Sequence, residues 1–237
     1  MRGCFVTGTD TGAGKTVVAA AVAASLRSRG HTVVACKPVL TGTVAEPPGE
    51  SAWPADDELL GAATGRPPWA VAPLRFGPAV SPHLAAELAG EPIDPRRLVA
   101  TVRRAAEGSD AVVVEGVGGL LVPLTSEGYS VRDLARELAL PVIVAARAGL
   151  GTISHSLLTL EAARAGGLDV RAVVLTPWPE EPGRLERSNR ETIRKLGSIA
   201  VHTLPLVAEP EPSELARAAS EFPVESWLTA GSDRLAV

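Results

Sequence analysis

The sequence predicts a doubly wound α/β fold built on a mostly parallel sheet, and three observations point there. Apolar strand-like runs take turns with longer segments of helical period along most of the chain. These runs are continuous in Val, Ile and Ala rather than alternating with polar residues, as expected of strands covered by helices on both faces. The first run ends in a glycine-rich turn that leads straight into a helical segment, and in such sheets ligands gather at the carboxyl ends of the strands.

Taken in order, GCFVTG (3 to 8) reads as the first strand, followed by a helix from about Gly14 to Arg29 and a strand HTVVACKPV (31 to 39). A helix near Asp57 to Ala63 precedes the strand DAVVVEG (110 to 116). A helix over 130 to 139, the strand LPVIVAAR (140 to 147) and a helix from about Thr152 to Ala165 come next. The strand DVRAVVLT (169 to 176), a helix over 184 to 196 and the strand SIAVHTLP (198 to 205) complete the alternation. The Pro/Gly-rich stretches 43 to 54 and 65 to 82 read as surface loops. One or two short helices are expected in 206 to 237.

Composition narrows the function classes. With 237 residues, 46% hydrophobic side chains and mean hydropathy +0.17, the chain has the apolar content for a sizeable core, expected as a single domain over 1–237. A net charge of −4 with interleaved signs gives no footprint for nucleic acid or anionic lipid. Cys4 and Cys36 each lie in an apolar run without His or Cys neighbours, which fits buried thiols of a reducing compartment. The segment MRGCFVTGTD has no extended apolar stretch, and no run approaches the roughly 18 apolar residues of a membrane span, so a cytoplasmic location is expected.

The stretch GTDTGAGKTVV (8 to 18) departs by one position from the common phosphate-loop pattern G-x-x-x-x-G-K-[ST]. That pattern needs glycine where Thr9 stands, with Gly8 just before it. Strand, glycine turn and helix nevertheless follow in the required order, so backbone N–H groups and the positive helix end converge on an anion. Lys15 then holds terminal phosphate oxygens and Thr16 a Mg²⁺ ion. The chain is expected to have the P-loop variety of the doubly wound fold. Of the 23 basic residues only three are lysines, Lys15, Lys37 and Lys195, and two of these lie at the turn and at the end of the next apolar run. A compact ammonium suits a cluster of oxygens differently from a guanidinium fork. Lys37, in CKPVLTG (36 to 42), is therefore expected to face the same anionic site as Lys15, whereas Lys195 reads as a solvated helix residue. Glu115, in VVVEGVGGLLVP (112 to 123), ends a buried strand where phosphate-loop enzymes hold metal, and Gly116, Gly118 and Gly119 let backbone approach a ligand. Asp56 and Asp57 open the helix DDELLGAA either as a capping pair or with one of them serving the metal.

GTDTGAGKT, KPVLTG, DDELL, SPHLAA (81 to 86), VVVEGVGG and LGTISHSLLTLEAARAGGL (150 to 168) occur in an order and spacing that resembles the dethiobiotin synthetases, over about residues 3 to 206. In that family the loop begins GTDT, so the early glycine is a family variant. The resemblance implies a reaction joining 7,8-diaminononanoate, CO₂ and a nucleoside triphosphate, with Mg²⁺, into a cyclic urea by way of a carbamate and its mixed anhydride with phosphate. It implies that Lys37 is the catalytic lysine, with Lys15 beside it. The phosphate cradle is then Gly12, Ala13, Gly14, Lys15, Thr16 and Val17, and the Mg²⁺ ligands are Thr16, Asp57 and Glu115. Asp57 is chosen over Asp56 because Asp57-Glu58-Leu59 matches D-x-L. Gly116, Val117 and Gly118 adjoin the nucleotide, Thr41 and Ser81 the diamine. Leu150, Gly151, Thr152 and Ser154 resemble a turn that a second subunit supplies to hold the substrate carboxylate, which implies a homodimer.

The family's fold is shared by switch ATPases of chromosome partitioning and septum placement, but those carry a signature lysine at the position of Asp10. A further departure concerns the base, for which the resemblance implies contacts from Thr176, Pro177 and Pro205. Many members have Asn where this chain has Thr176-Pro177. An Asn amide donates and accepts at once, whereas Thr offers one hydroxyl and Pro no N–H. Weak base discrimination is therefore predicted, with CTP and other triphosphates replacing ATP at comparable turnover constants. An ATP preference of about a hundredfold, ~2.8 kcal/mol, sinks that expectation.

Overall fold

The computed structural model describes residues 1–44 and 53–228. Its first strand, β1 (Gly3–Gly8), is fully buried and leads through the glycine turn into α1 (Lys15–Ser28). β2 (Val33–Cys36) and the two-residue β3 (Val39–Leu40) follow, then α2 (Asp56–Thr64), the single turn α3 (Pro68–Val71) and β4 (Leu74–Arg75). Next come α4 (Pro82–Ala89), α5 (Pro95–Ala105), β5 (Ala111–Gly119), α6 (Val131–Leu138) and β6 (Val142–Ala146). The chain continues through α7 (Thr152–Ala165), β7 (Val170–Trp178), α8 (Arg184–Gly197), β8 (Ala200–Pro205), α9 (Pro212–Ala218) and α10 (Val224–Trp227).

Six strands form one parallel sheet in the order β2-β5-β1-β6-β7-β8. Successive residues point to opposite faces. Cys4, Val6, Ala35, Val113, Ala145 and Val174 pack in one core cluster with α1, α2, α9 and α10. Phe5, Val34, Cys36, Val114, Val144 and Leu175 join the other, with α5 through α8. β1 is flanked by β5 on one side and β6 on the other, so the turn after it opens at the point where the strand order reverses.

α1 lies against the sheet along most of its length because its inner residues are small: Ala19, Ala20, Ala21, Ala23 and Ala24 are at most 3% exposed. Small side chains let α2 and α9 pack on the same helix. The C-terminal segment is held by rings, with His202 on β8 5.8 Å from Phe222 and 5.3 Å from Trp227.

Two expectations need correction. The run 31–39, expected as one strand, breaks after Cys36, because Lys37 donates its N–H to Val71 O and Pro38 has no N–H for a ladder. Val39–Leu40 then pairs with Leu74–Arg75 in a separate two-stranded sheet. The stretch 65–82, expected as loop, contains α3 and β4. Helices α4 and α5, in a span left unassigned from sequence, begin at proline with Ser81 and Asp94 at the cap, and Asp94 accepts a bond from Arg96 N–H at 2.9 Å. The stretch 43–54, also expected as loop, falls mostly outside the described residues, as does 229–237.

Gly61 lies inside α2, where alanine ordinarily stabilises a helix by up to ~1 kcal/mol. A Cβ there would stand 2.6 Å from the Arg66 carbonyl oxygen, which is backbone and cannot turn aside. Overpacking of about 1–3 kcal/mol then outweighs propensity. Gly61→Ala is expected to lower the thermal midpoint, as read by circular dichroism; an unchanged or higher midpoint contradicts this account.

Candidate active site

At the carboxyl ends of β1, β2 and β5 the protein forms a cleft of about 680 Å³. Gly12, Gly14, Lys15, Thr16, Val17, Lys37, Thr41, Ser81, Glu115, Val117 and Gly118 all line it, so four separate segments singled out from sequence meet in one space. Asp56, Trp53 and Pro54 line it as well.

The turn is shaped by its glycines. Gly12 and Gly14 have φ of 72° and 84°, which L side chains rarely adopt. The early glycine has another reason: a Cβ on Gly8 would lie 2.9 Å from Lys15 Cγ and 3.0 Å from Asp10 O. Its bare backbone lets the lysine stem cross over the strand end. Lys15 Nζ donates to Asp10 O at 3.0 Å. Thr9 still belongs to the sheet, donating its N–H to Ala145 O at 3.0 Å.

The centre of the cleft is a cluster of two carboxylates, a hydroxyl and an ammonium. Lys37 Nζ donates to Glu115 Oε1 at 2.7 Å and to Asp56 Oδ2. Thr16 Oγ1 lies 2.9 Å from both Asp56 Oδ1 and Glu115 Oε1, and its one proton serves either. Lys37 is 3% and Glu115 1% exposed. Burial opposes the charge on Lys37, but Glu115 and Asp56 outweigh it and hold its pKa above the usual lysine value. Burial likewise opposes the charge on Asp56, but Lys37 and Thr16 prevail and keep its carboxyl below the usual range. Burial pushes Glu115 upward against the pull of Lys37. Lys15 is lowered, first by burial, with Lys37 adding to the effect.

The carboxylate choice at the start of α2 is corrected here. Asp57 is 1% exposed, but it faces away from Thr16 and pairs with Arg75 on β4. Neighbouring helix positions diverge by about 100°, so only one of the two aspartates can face Thr16. It is Asp56, whereas Asp57, the residue that the D-x-L match selects, does not line the cleft.

Other expected contacts separate from the cleft. A Cβ on Gly116 would lie 2.8 Å from Val131 Cγ1 and 3.2 Å from Phe5, so this glycine serves packing rather than ligand approach. Ala13 is buried beneath the turn. Thr176 is also buried, and a Cβ on Gly14 would stand 2.4 Å from its Cγ2, so its methyl backs the glycine turn. Pro177 and Pro205 are exposed at the ends of the paired strands β7 and β8. In the turn before α7, Leu150 is 91% exposed, and Asn189 Nδ2 fixes the preceding carbonyls of Ala148 and Gly149 at 2.9 and 3.0 Å. Gly151 and Ser154 are exposed, whereas Thr152 is buried 3.5 Å from Ser156 Oγ.

Two site-shaping arginines carry no motif and were not singled out from sequence. Arg75 holds Asp57, and Arg147, at the end of β6, donates from Nη2 to Thr11 O at 3.1 Å and from Nε to Gly12 O at 3.3 Å. The only sequence signal for Arg147 is a charge closing an apolar strand at the edge where the glycine turn lies.

Thr16, Asp56 and Glu115 offer only oxygen, and Glu115 Oε2 is buried without a hydrogen-bond partner. That donor set fits a hard divalent cation. Among the described residues no cluster of three or more His, Cys, Asp or Glu forms, so such an ion would take its remaining ligands from phosphate and water, as Mg²⁺ commonly does.

Arg147→Ala removes two bonds that stiffen the turn from outside, each worth about 0.5–1.5 kcal/mol. The nucleotide KM is expected to rise about fivefold to tenfold, with kcat and thermal midpoint changing less. Unaltered nucleotide KM would show that the turn needs no such brace.

A family model described as an AAA domain matches residues 2–213. Solved structures of a ParA family ATPase from Chlorobium tepidum (TM-score 0.51, 12% identity, 96% of each chain) and of the cell division ATPase MinD from Pyrococcus furiosus (TM-score 0.54, 14% identity, 94% of this chain and 92% of that one) share the fold. Curated relatives named ATP-dependent dethiobiotin synthetase are closer in sequence. The protein of Anaeromyxobacter dehalogenans is 43% identical over 92% of this chain and 94% of its own length. That of Rhodococcus jostii is 42% identical over 83% and 82%, and one from Mycobacterium sp. 36% identical over 96% and 98%. A glycine turn beginning one residue early, two lysines and a buried glutamate around one cleft, and identity across nearly the full length agree: the chain belongs to the family of ATP-dependent dethiobiotin synthetases.

Proposed function

We propose that the protein closes the cyclic urea of dethiobiotin from 7,8-diaminononanoate and CO₂ at the expense of a nucleoside triphosphate, releasing nucleoside diphosphate and phosphate. The observation that carries this reading is that Lys37 lines the same cleft as the phosphate-loop residues Lys15 and Thr16 and the expected diamine contacts Thr41 and Ser81. In this reading an amine of the diamine attacks CO₂ to form a carbamate, and a carbamate oxygen takes the terminal phosphoryl group. The second amine then attacks the carbonyl and expels phosphate. The carbamate, its mixed anhydride with phosphate and the nucleotide are all anionic, which is why the site needs preorganised cations.

Backbone N–H groups of 12 to 17, with Lys15, would bind the phosphates. Lys37 would lie against both the carbamate and the transferring group. Thr16, Asp56 and Glu115 would hold Mg²⁺, whose charge would neutralise phosphate oxygens. Asp57, by contrast, would act through Arg75 as a brace between α2 and β4. Wide base acceptance is part of the proposal, because Thr176 directs its methyl to Gly14.

A homodimer is also proposed, with Leu150, Gly151 and Ser154 of the second copy reaching the substrate carboxylate. Leu150 in this turn is 91% exposed, and Leu121 (55%) and Leu158 (62%) lie exposed around one surface hollow, which supports apolar contacts with a second copy. The two buried free cysteines fit a reducing cytoplasm, and among the described residues no helix is long and apolar enough to cross a membrane.

Purified protein mixed with diamine, bicarbonate, Mg²⁺ and, in separate tubes, ATP, CTP, GTP or UTP is expected to yield dethiobiotin by mass spectrometry. Nucleotide hydrolysis that does not depend on the diamine would favour a switch ATPase instead. Lys37→Gln is expected to retain nucleotide binding while kcat falls at least about a hundredfold, the scale of losing one preorganised charge-stabilising group. Wild-type kcat in this variant would remove Lys37 from the mechanism.

A further inference from the structure

We infer that Lys37 is a built-in competitor of the divalent cation and makes tight metal binding conditional on nucleotide. The inference rests on Asp56, Glu115 and Thr16 being the metal-holding set. Lys37 engages one oxygen of each carboxylate in this set, Glu115 Oε1 at 2.7 Å and Asp56 Oδ2, and leaves Glu115 Oε2 without a partner. Thr16 Oγ1 shares the cluster at 2.9 Å from each carboxylate. One ammonium thus occupies the electrostatic position between two acids that a dication would take.

Charge balance explains why the competition matters. Glu115 and Lys37 are both buried, so Glu115 needs a compensating cation close by at all times. A dication entering alone would set three positive charges, its own two and that of Lys37, against two carboxylates, with Lys15 close by. Nucleotide brings the missing negative charge. Lys37 then exchanges carboxylate oxygens for phosphate oxygens, and Asp56 and Glu115 are released together. The same side chain keeps the acids apart from stray cations and delivers itself to the phosphoryl group when the correct anion arrives.

Lys15 is the internal control. It is near the same acids, but its hydrogen bond goes to Asp10 O, not to a carboxylate.

The test is Mn²⁺ binding to the full-length chain without nucleotide, followed by electron paramagnetic resonance of the free ion. Lys37→Gln is expected to bind one Mn²⁺ about tenfold or more tightly than wild type, because the competing charge is gone. Lys37→Arg, which keeps the charge, should stay near wild type, and Lys15→Gln should gain less than Lys37→Gln. Equal affinity of wild type and Lys37→Gln overturns the inference, as does an equal gain in Lys15→Gln, which would indicate general charge rather than competition for the same oxygens. Lys37→Met, a neutral side chain of similar length, repeats the measurement if the glutamine variant does not fold. Adding ADP separates the underlying reading: Mn²⁺ affinity of the ADP complex should drop in Glu115→Gln. If it does not, the metal site lies elsewhere and both claims fall.

Discussion

A carboxylate with almost no access to water governs this molecule. Glu115 lies within β5 at 1% exposure, and an unpaired charge there is costly by several kcal/mol. Its solution is Lys37, which arrives from the end of β2, the strand paired with β5. Thr16 from the first turn of α1 and Asp56 from the first residue of α2 complete the ring. Four elements, β5, β2, α1 and α2, are thereby tied together at one point. The break in the chain at Lys37-Pro38 belongs to the same constraint. Ending the strand there lets the side chain turn inward, while the segment after Pro38 departs to form the small sheet beneath Thr41.

The parallel sheet makes that meeting possible. Val6 lies in register with Glu115, and Gly8 with Gly119, so the glycine turn and the buried acid emerge side by side. Alanines along α1 let it lie close to the sheet, which brings its N-terminus over the same strand ends. Backbone dipoles of that helix and the two lysines then add in one direction, toward the cleft. Arg147 from the opposite neighbour, β6, closes the turn from behind.

The continuous apolar runs made the six main strands and their order of appearance legible, because burial on both faces leaves an unambiguous pattern. The glycine turn, Lys15, Thr16, Lys37 and Glu115 were legible for a different reason: each sits at the end of such a run, where an α/β sheet gathers its ligands. What sequence concealed depended on direction. Asp56 and Asp57 are adjacent, equally acidic and both consistent with a helix start, and only the rotation of α2 distinguishes them. Thr176 illustrates the same limit, since residue type suggests a hydroxyl while packing directs the methyl to Gly14. Helices α4 and α5 lie in a span left unassigned from sequence, although Ser81 and Asp94 each precede a proline as a helix start favours.

The burial of α1 has an evolutionary side. Ten of its fourteen residues are buried, and its alanines are packed between the sheet and the helices α2 and α9. Larger side chains there would lift the helix and tilt the phosphate turn with it. Substitutions in this helix should therefore be filtered as strictly as those in the cleft, although most of its residues would touch no substrate. The exposed turn before α7 carries no such burden, so divergence of specificity within the fold has room there and little along α1.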